Sequence, residues 1–207
     1  KVVFPDPVVP DSTPWGPSPP VFMSLMSRII NSPLSARFPN GLANSSGMVG
    51  KHLMFNTYVE ANGVFDEPLN EYKGPMVTRA LWDHYAADPK RGYYGGGGLD
   101  ARYGVVSPMI CTTMVVNPSK PQWGDRYARA LQHNFSRFMV VSSHGTSIPM
   151  PTNRIDIDPT LKDAWGVPAI RATYTDHPDD LKFARFHQEL ARQILEAAGA
   201  RETWKNP

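Results

Sequence analysis

The run from Pro151 to Ala200 constrains the fold most, because it closes on a helix whose two ends are both written in the sequence. Asp176-His177-Pro178 places a capping carboxylate and a proline at its start, and Asp179 and Asp180 suit the positive end of the helix dipole. Gly199 supplies a left-handed stop. Between them Phe183, His187, Leu190, Ile194 and Ala198 predict an apolar stripe, with His187 as a helix-face residue. Upstream, Ile155 with Ile157, then Ile170 with Ala172 and Tyr174, predict two short strands with one buried face.

The same reasoning extends toward the N-terminus. Leu53, Phe55, Thr57 and Val59 alternate with Met54, Asn56 and Tyr58, which predicts a strand, and Asn62-Gly63 predicts a hairpin turn after it. Val105 to Val116 and Phe135 to Ser143 read as further β-rich runs. The stretch from Arg126 to Phe135, with Asp125 as its cap and Tyr127, Leu131 and Phe135 on one face, reads as a helix between them. A short helix is expected over Val21 to Ile30, before Pro33. Lys1 to Pro20 carries seven prolines, which fix φ and remove donors, so an extended segment without regular pairing is expected there. The predicted fold class is α+β, an antiparallel sheet packed by helices.

Composition excludes several functions. The 21 basic and 19 acidic residues give a formal charge of +2 and form no basic block with interleaved aromatics, which argues against a nucleic-acid partner. No apolar run approaches the roughly 20 residues that span a bilayer. Cys111 is the only cysteine, so an internal disulfide is excluded, and its apolar neighbours point to a buried structural thiol. With 21 prolines and 16 glycines in 207 residues, many turns and irregular connections are expected. The compartment is left open.

Candidate chemistry is sparse. Gly96, Gly98 and Ala101 fit a degenerate dinucleotide pattern, but neither a buried strand before them nor a helix after them is predicted, so the glycine run Gly95 to Gly98 with its flanks, Arg91 to Tyr103, is expected to be a closely packed, mobile loop near a pocket entrance. The six histidines contain no pair at zinc-hydrolase spacing, and Asp156, Asp158 and Asp163 lack the rest of a calcium loop. No serine sits in a nucleophile elbow. His144 stands apart: it ends the run Phe138 to Ser143 and precedes Gly145-Thr146-Ser147, which would bring a polar ring to a cleft. It is the candidate substrate-binding residue.

Two patches carry a family resemblance. Val49-Gly50-Lys51-His52-Leu53-Met54-Phe55-Asn56 resembles the segment that runs under the flavin in glucose-methanol-choline (GMC) oxidoreductases, with Asn56 at a position usually held by histidine. Asn153-Arg154-Ile155, Asp158-Pro159, Lys162-Asp163, Gly166-Val167-Pro168 and Tyr174 resemble the opening of that family's C-terminal segment. The middle, from Gly74-Pro75 through Arg79, Asp83, Tyr85, Asp88-Pro89 and Arg91-Gly92, is similar to the substrate-domain insertion of bacterial sugar, gluconate and glycoside dehydrogenases. The Pro-rich beginning departs from the family.

The resemblance implies an FAD-dependent oxidoreductase acting on CH-OH groups of a sugar, glycoside or other alcohol, with hydride passing to FAD. Val49, Gly50 and Asn56 would meet the cofactor and His144 the substrate. No catalytic residue is assigned, because the resemblance puts the catalytic histidine beyond Pro207 and the flavin-binding glycine fingerprint before Lys1. The chain is thus expected to be an internal fragment, inactive by itself, whose partners are the remainder of the flavoenzyme chain, the substrate and an electron acceptor that could be a protein. Expected boundaries are a Pro-rich segment over 1–22, a flavin-domain edge over 23–56, a substrate-binding domain over 57–150 and the start of the C-terminal segment over 151–207. The competing reading is a noncatalytic β-rich carbohydrate-binding or interaction module, with Trp82, Tyr85, Tyr93, Tyr94 and Trp123 as stacking faces.

Overall fold

Alternating side chains in the middle of the sequence build an antiparallel sheet, and the long C-terminal helix covers one of its faces. The computed structural model describes residues 44–102, 108–164, 166 and 168–206. The expected helix over Val21 to Ile30 and the Pro-rich start lie outside them. The chain divides into two compact units, one from the described part of Lys1–Phe55 with Ile148–His177, the other from Asn56–Ser147 with Pro178–Pro207.

The larger unit contains strands β1 (Thr57–Val64), β2 (Val77–Leu81), β3 (Gly97–Arg102), β4 (Phe138–Gly145) and β7 (Glu202–Lys205), in the order β2-β3-β4-β1-β7. Every neighbouring pair is antiparallel. It also contains helices α1 (Pro108–Met114), α2 (Gly124–Asn134) and α3 (Pro178–Ala197). Helix α3 packs on one face, where Ala61, Leu99 and Val141 of the sheet meet Ala191 and Leu195. On the opposite face Val64, Phe138, Val140 and Trp204 form a second core with Val115, and Cys111 and Met114 of α1, Leu131 of α2 and Phe135 just after it pack against it. Burial pushes the Cys111 thiol above its ordinary value, in keeping with a structural role.

The α+β class holds, and so do both ends of α3: Pro178 opens it, and Gly199 follows it at φ 93°. The buried stripe is Phe183, His187, Ala191 and Leu195, with Leu190 and Ile194 on its flank, a rotation of part of a turn from the expected stripe. Three expectations fail. Asn62-Gly63 is not a hairpin turn. The pair lies inside β1 between β4 and β7, where Gly63 is needed because a side-chain carbon there would stand 2.9 Å from Leu195. The described part of the β-rich run Val105 to Val116 contains helix α1, opened by Pro108, because proline at a first helical position costs no donor. Gly97 and Gly98 are not loop residues but the first two of β3.

In the smaller unit β5 (Arg154–Lys162) and β6 (Pro168–Thr173) form the predicted strand pair, as a two-stranded sheet. Asp156 accepts bonds from Arg171 Nε at 2.6 Å and Nη2 at 2.8 Å, and from Arg154 Nε at 2.8 Å; the Arg171 bond leads in holding its carboxyl below the ordinary range. Buried Asn153 grips the backbone of Thr175 through both ends of its amide, each at 2.9 Å. Residues 50–53 run beside the start of β5, with Gly50 accepting from the Ile155 amide at 2.7 Å and the Leu53 amide donating to Asn153 at 3.1 Å. No helix among the described residues is long and apolar enough to cross a membrane.

Candidate functional site

The face opposite α3 changes character along β1, β3 and β4. Beyond Val140 its inward-pointing apolar residues give way to polar and aromatic ones, because the strands keep their period of two while the residue types change. Pairing lays these out in two rows. Tyr58, His144 and Gly98 stand side by side, and so do Glu60, Ser142, Asp100 and Ala80. Trp82 lies over Gly98, where a side-chain carbon would come within 2.7 Å of its ring. Arg102 follows Asp100 on the same face of β3 and pairs with Val140.

These side chains form one hydrogen-bonded network. Arg102 donates through Nε and Nη2 to both oxygens of Asp100, and Ser142 Oγ donates to Asp100 Oδ1 at 2.9 Å. Burial alone would raise the Asp100 pKa, but the Arg102 and Ser142 donors outweigh it and hold the carboxyl below its ordinary value. Arg102 Nη2 also reaches His144 Nε2 at 3.3 Å, and the Asn56 side-chain amide lies 2.6 Å from His144 Nδ1. Arginine has only donors, so His144 Nε2 accepts. Asn56 Nδ2, the atom placed against Nδ1, is a second donor, and a neutral ring accepts at only one nitrogen; with Nε2 accepting, the proton sits on Nδ1 and the Asn56 amide turns over so that its oxygen faces it. Tyr58 lies against His144 with ring centroids 4.7 Å apart and donates its hydroxyl to Glu60. Burial, then the Glu60 bond, pushes the Tyr58 hydroxyl up to about 12, so it stays protonated at neutral pH.

The surface is accessible: His144 is exposed, Tyr58 is 41% exposed and Trp82 62%. What it can do chemically is bind hydroxyl groups. It offers oxygen acceptors on Glu60 and Asp100, the His144 ring and a flat indole face, with the fully buried Ser142 hydroxyl holding Asp100 from beneath.

Of the four residues singled out from sequence, the structure brings Asn56 and His144 together. Val49 and Gly50 belong to the other unit. There the Val49 amide donates to Asn44 Oδ1 at 3.1 Å, and Gly50 turns the chain at φ 79°, a conformation that favours glycine. Gly50 in its unit has no side chain, and Asn56 in the other presents an exposed polar amide, so each is by residue type compatible with a flavin. The glycine run is not a phosphate cradle. The space beside Gly96 is filled by the His84 and Tyr85 carbonyls, that beside Gly97 by Phe183 and the His144 carbonyl, and that beside Gly98 by Trp82. His187 lies buried behind the sheet between Ser143 and Tyr93. Sequence reasoning missed Tyr58, Glu60, Asp100, Arg102 and Ser142. Their signal was the polar half of an alternating strand, legible only once β1, β3 and β4 are known to be neighbours.

Comparison with known proteins agrees in class. The chain is 32% identical over 171 residues to the 2-methyl-1,2-propanediol dehydrogenase of Mycolicibacterium austroafricanum, covering 80% of this chain and 30% of that protein. It is 27% identical over 172 residues to the paromamine 6'-oxidase of Streptomyces fradiae, and 22% identical over 165 residues to the gluconate 2-dehydrogenase flavoprotein of Pantoea cypripedii. Those matches cover 79% and 77% of this chain, and 27% and 26% of the relatives. No protein-family model matches the chain. The chain is thus a distant homologue of dehydrogenases and oxidases, of oxidoreductase ancestry, and it spans less than a third of the length of the curated relatives it matches.

Proposed function

We propose that this chain is the substrate-binding part of an FAD-dependent oxidoreductase of the glucose-methanol-choline type, and that it binds a sugar or other polyol whose CH-OH group is oxidised. The observation that carries this reading is the open half of the sheet, where Tyr58, His144, Trp82 and the Arg102-Asp100-Ser142 network converge beside Asn56. The three relatives, named for a diol, an amino sugar and a sugar acid, support it. In this reading residues 23–56 belong to the edge of the flavin domain, 57–150 bind substrate and 151–207 begin the C-terminal segment.

When bound, FAD would supply the hydride acceptor. Beside Val49, Gly50 would offer its ring a backbone without a side chain, and Asn56, in the other unit, is an exposed amide of a type that could hold a polar edge. The contribution of this chain is orientation. His144 is held through Nδ1 by Asn56, and a substrate hydroxyl would meet its Nε2 by displacing the longer 3.3 Å contact to Arg102, which keeps its pairing with Asp100. Asp100, held by Ser142 and Arg102, and Glu60 fix neighbouring hydroxyls, and Trp82 gives the carbon skeleton a flat apolar wall. These contacts restrict the substrate to one pose and exclude water from the carbon side.

Exposed Trp82 and Tyr85, set edge to face with centroids 5.2 Å apart, favour a second reading as a noncatalytic carbohydrate-binding module. One experiment separates the two. The chain is put in place of the matching segment of the Mycolicibacterium dehydrogenase, and the product is assayed for flavin content and for bleaching of the flavin by diols, sugars and amino sugars. Bleaching by one of these classes is expected. A flavin-loaded chimera that binds such compounds but is bleached by none overturns the enzymatic reading in favour of the module.

A further inference from the structure

The open sheet face carries two carboxylates and one guanidinium, and the way they are paired bears on what can bind. Arg102 is committed: Nε and Nη2 both engage Asp100, and Nη2 also serves His144. The Nε–Nη2 edge of the fork is therefore already filled by a carboxylate of the protein, which also balances the guanidinium charge. Glu60 is paired differently. Its Oε1 accepts from the Tyr58 hydroxyl and its Oε2 from Asn206 Nδ2 at 2.8 Å, both neutral donors. Tyr58 stays protonated at neutral pH and adds no charge. Among the described residues of this face, Glu60, Asp100 and Arg102 leave one unbalanced negative charge, and it resides on Glu60.

We infer that Glu60 sets the substrate class of this face, admitting neutral polyols and amino sugars and turning away hydroxy acids. The inference rests on the reading of the face as a substrate surface. It divides chemistry that the relatives' names leave mixed, since a diol and an amino sugar fall on the admitted side and gluconate on the excluded one. The physical cause is that a ligand carboxylate beside Glu60 meets like charge with no free cation to offset it, whereas a ligand ammonium gains an attractive partner.

The test uses the 207-residue chain and three six-carbon probes that differ at one end only: glucamine with an ammonium, sorbitol with an alcohol and gluconate with a carboxylate. Binding is followed at pH 7.5 and low salt by the backbone NMR shifts of Tyr58, Ser142 and His144. The expected order of affinity is glucamine, sorbitol, gluconate, with steps of about fivefold that shrink as salt is raised. Glu60→Gln should collapse the spread, and the salt series gives the same information without a variant. Gluconate binding as tightly as sorbitol overturns the inference and leaves the substrate surface standing. An unchanged order in a folded Glu60→Gln chain also overturns it, by moving the charge effect elsewhere. No response to any of the three brings down the substrate surface, and the inference with it.

Discussion

Ser143 Oγ lies 2.8 Å from His187 Nδ1, a polar contact sealed between the sheet and α3. The same hydroxyl donates to the Gly98 carbonyl at 2.9 Å, so its proton is spent and His187 Nδ1 must be the donor toward Ser143. Nε2 is then left to accept from Tyr93 Oη at 3.2 Å. A neutral ring satisfies both contacts; a protonated one would turn a second donor on the tyrosine. Burial first, then the proximity of His84 and Arg91, brings the His187 pKa down to about 4.

This contact makes stability depend on pH in a defined window. Above the ordinary histidine value of about 6.5 the ring is neutral whether the chain is folded or unfolded, and the contribution is complete. Between about 6.5 and about 4 only the unfolded chain takes up the proton, so stability falls as pH falls. Urea unfolding at pH 7 and pH 5 should differ by about 2 kcal/mol through this group. His187→Gln, which keeps a neutral amide there, should remove most of that difference. Equal pH dependence in the variant would show that the proton uptake belongs to another group.

Helix α3 also touches the sheet where two glycines leave no room for anything else. A methyl at Gly145 would run into the Phe183 ring, so Gly145→Ala should cost about 2 kcal/mol in an unfolding titration. Shortening the ring with Phe183→Leu should recover about 1 kcal/mol of that in the double variant. Gly97→Ala should be recovered less well. Its methyl would meet the His144 carbonyl at 2.5 Å as well as Phe183, and a backbone atom inside a sheet cannot swing away. Equal rescue at both positions would mean that the strand, not the ring, yields.

The Asn56-His144 pairing predicts a spectroscopic signature. With Arg102 donating to Nε2 and the Asn56 amide turned so that its oxygen faces the ring, the neutral ring should carry its proton on Nδ1, the less common tautomer of free imidazole, and imidazole nitrogen NMR shifts read this directly. Asn56→Leu removes the acceptor that holds the proton, so the tautomer ratio should move toward Nε2–H. A ring already protonated on Nε2 in the unaltered chain would break the assignment.

Legibility in the sequence followed the range of the interactions. The ends of α3 were readable because Pro178 and Gly199 act on their own backbone, and α2 and the strands around Ile155 and Ile170 carry their period within a few residues. Asn62-Gly63 misled because its turn preference is local, whereas Gly63 answers to Leu195, which is distant in sequence. Gly97 and Gly98 failed as expected loop residues for the same reason: they are small so that Phe183 and Trp82 can lie against β3, and the contacts that demand this come from other elements. His144 could be singled out because a strand and a turn frame it in sequence. Glu60, Asp100 and Arg102 could not, since each looks like an ordinary charged strand residue until the β3-β4-β1 order sets them side by side.

The last expectation concerns His144 in a flavin-loaded protein. Its ring is exposed at the end of β4, and none of the buried core residues depends on it for packing, so His144→Ala should leave fold and flavin content unchanged. What the variant loses is one oriented hydrogen-bonding edge, about 1 kcal/mol in a partly exposed setting, or roughly a fivefold rise in KM. If the edge positions the hydroxyl of the oxidised carbon, kcat falls as well, because orientation is then lost in the transition state. Stopped-flow bleaching of the flavin at varied substrate separates the two parameters. His144→Asn, which keeps a short polar group, should restore part of the loss, whereas His144→Leu should restore none. Unchanged kinetics in His144→Ala would take this residue out of the substrate surface and leave Glu60, Asp100 and Trp82 to form it.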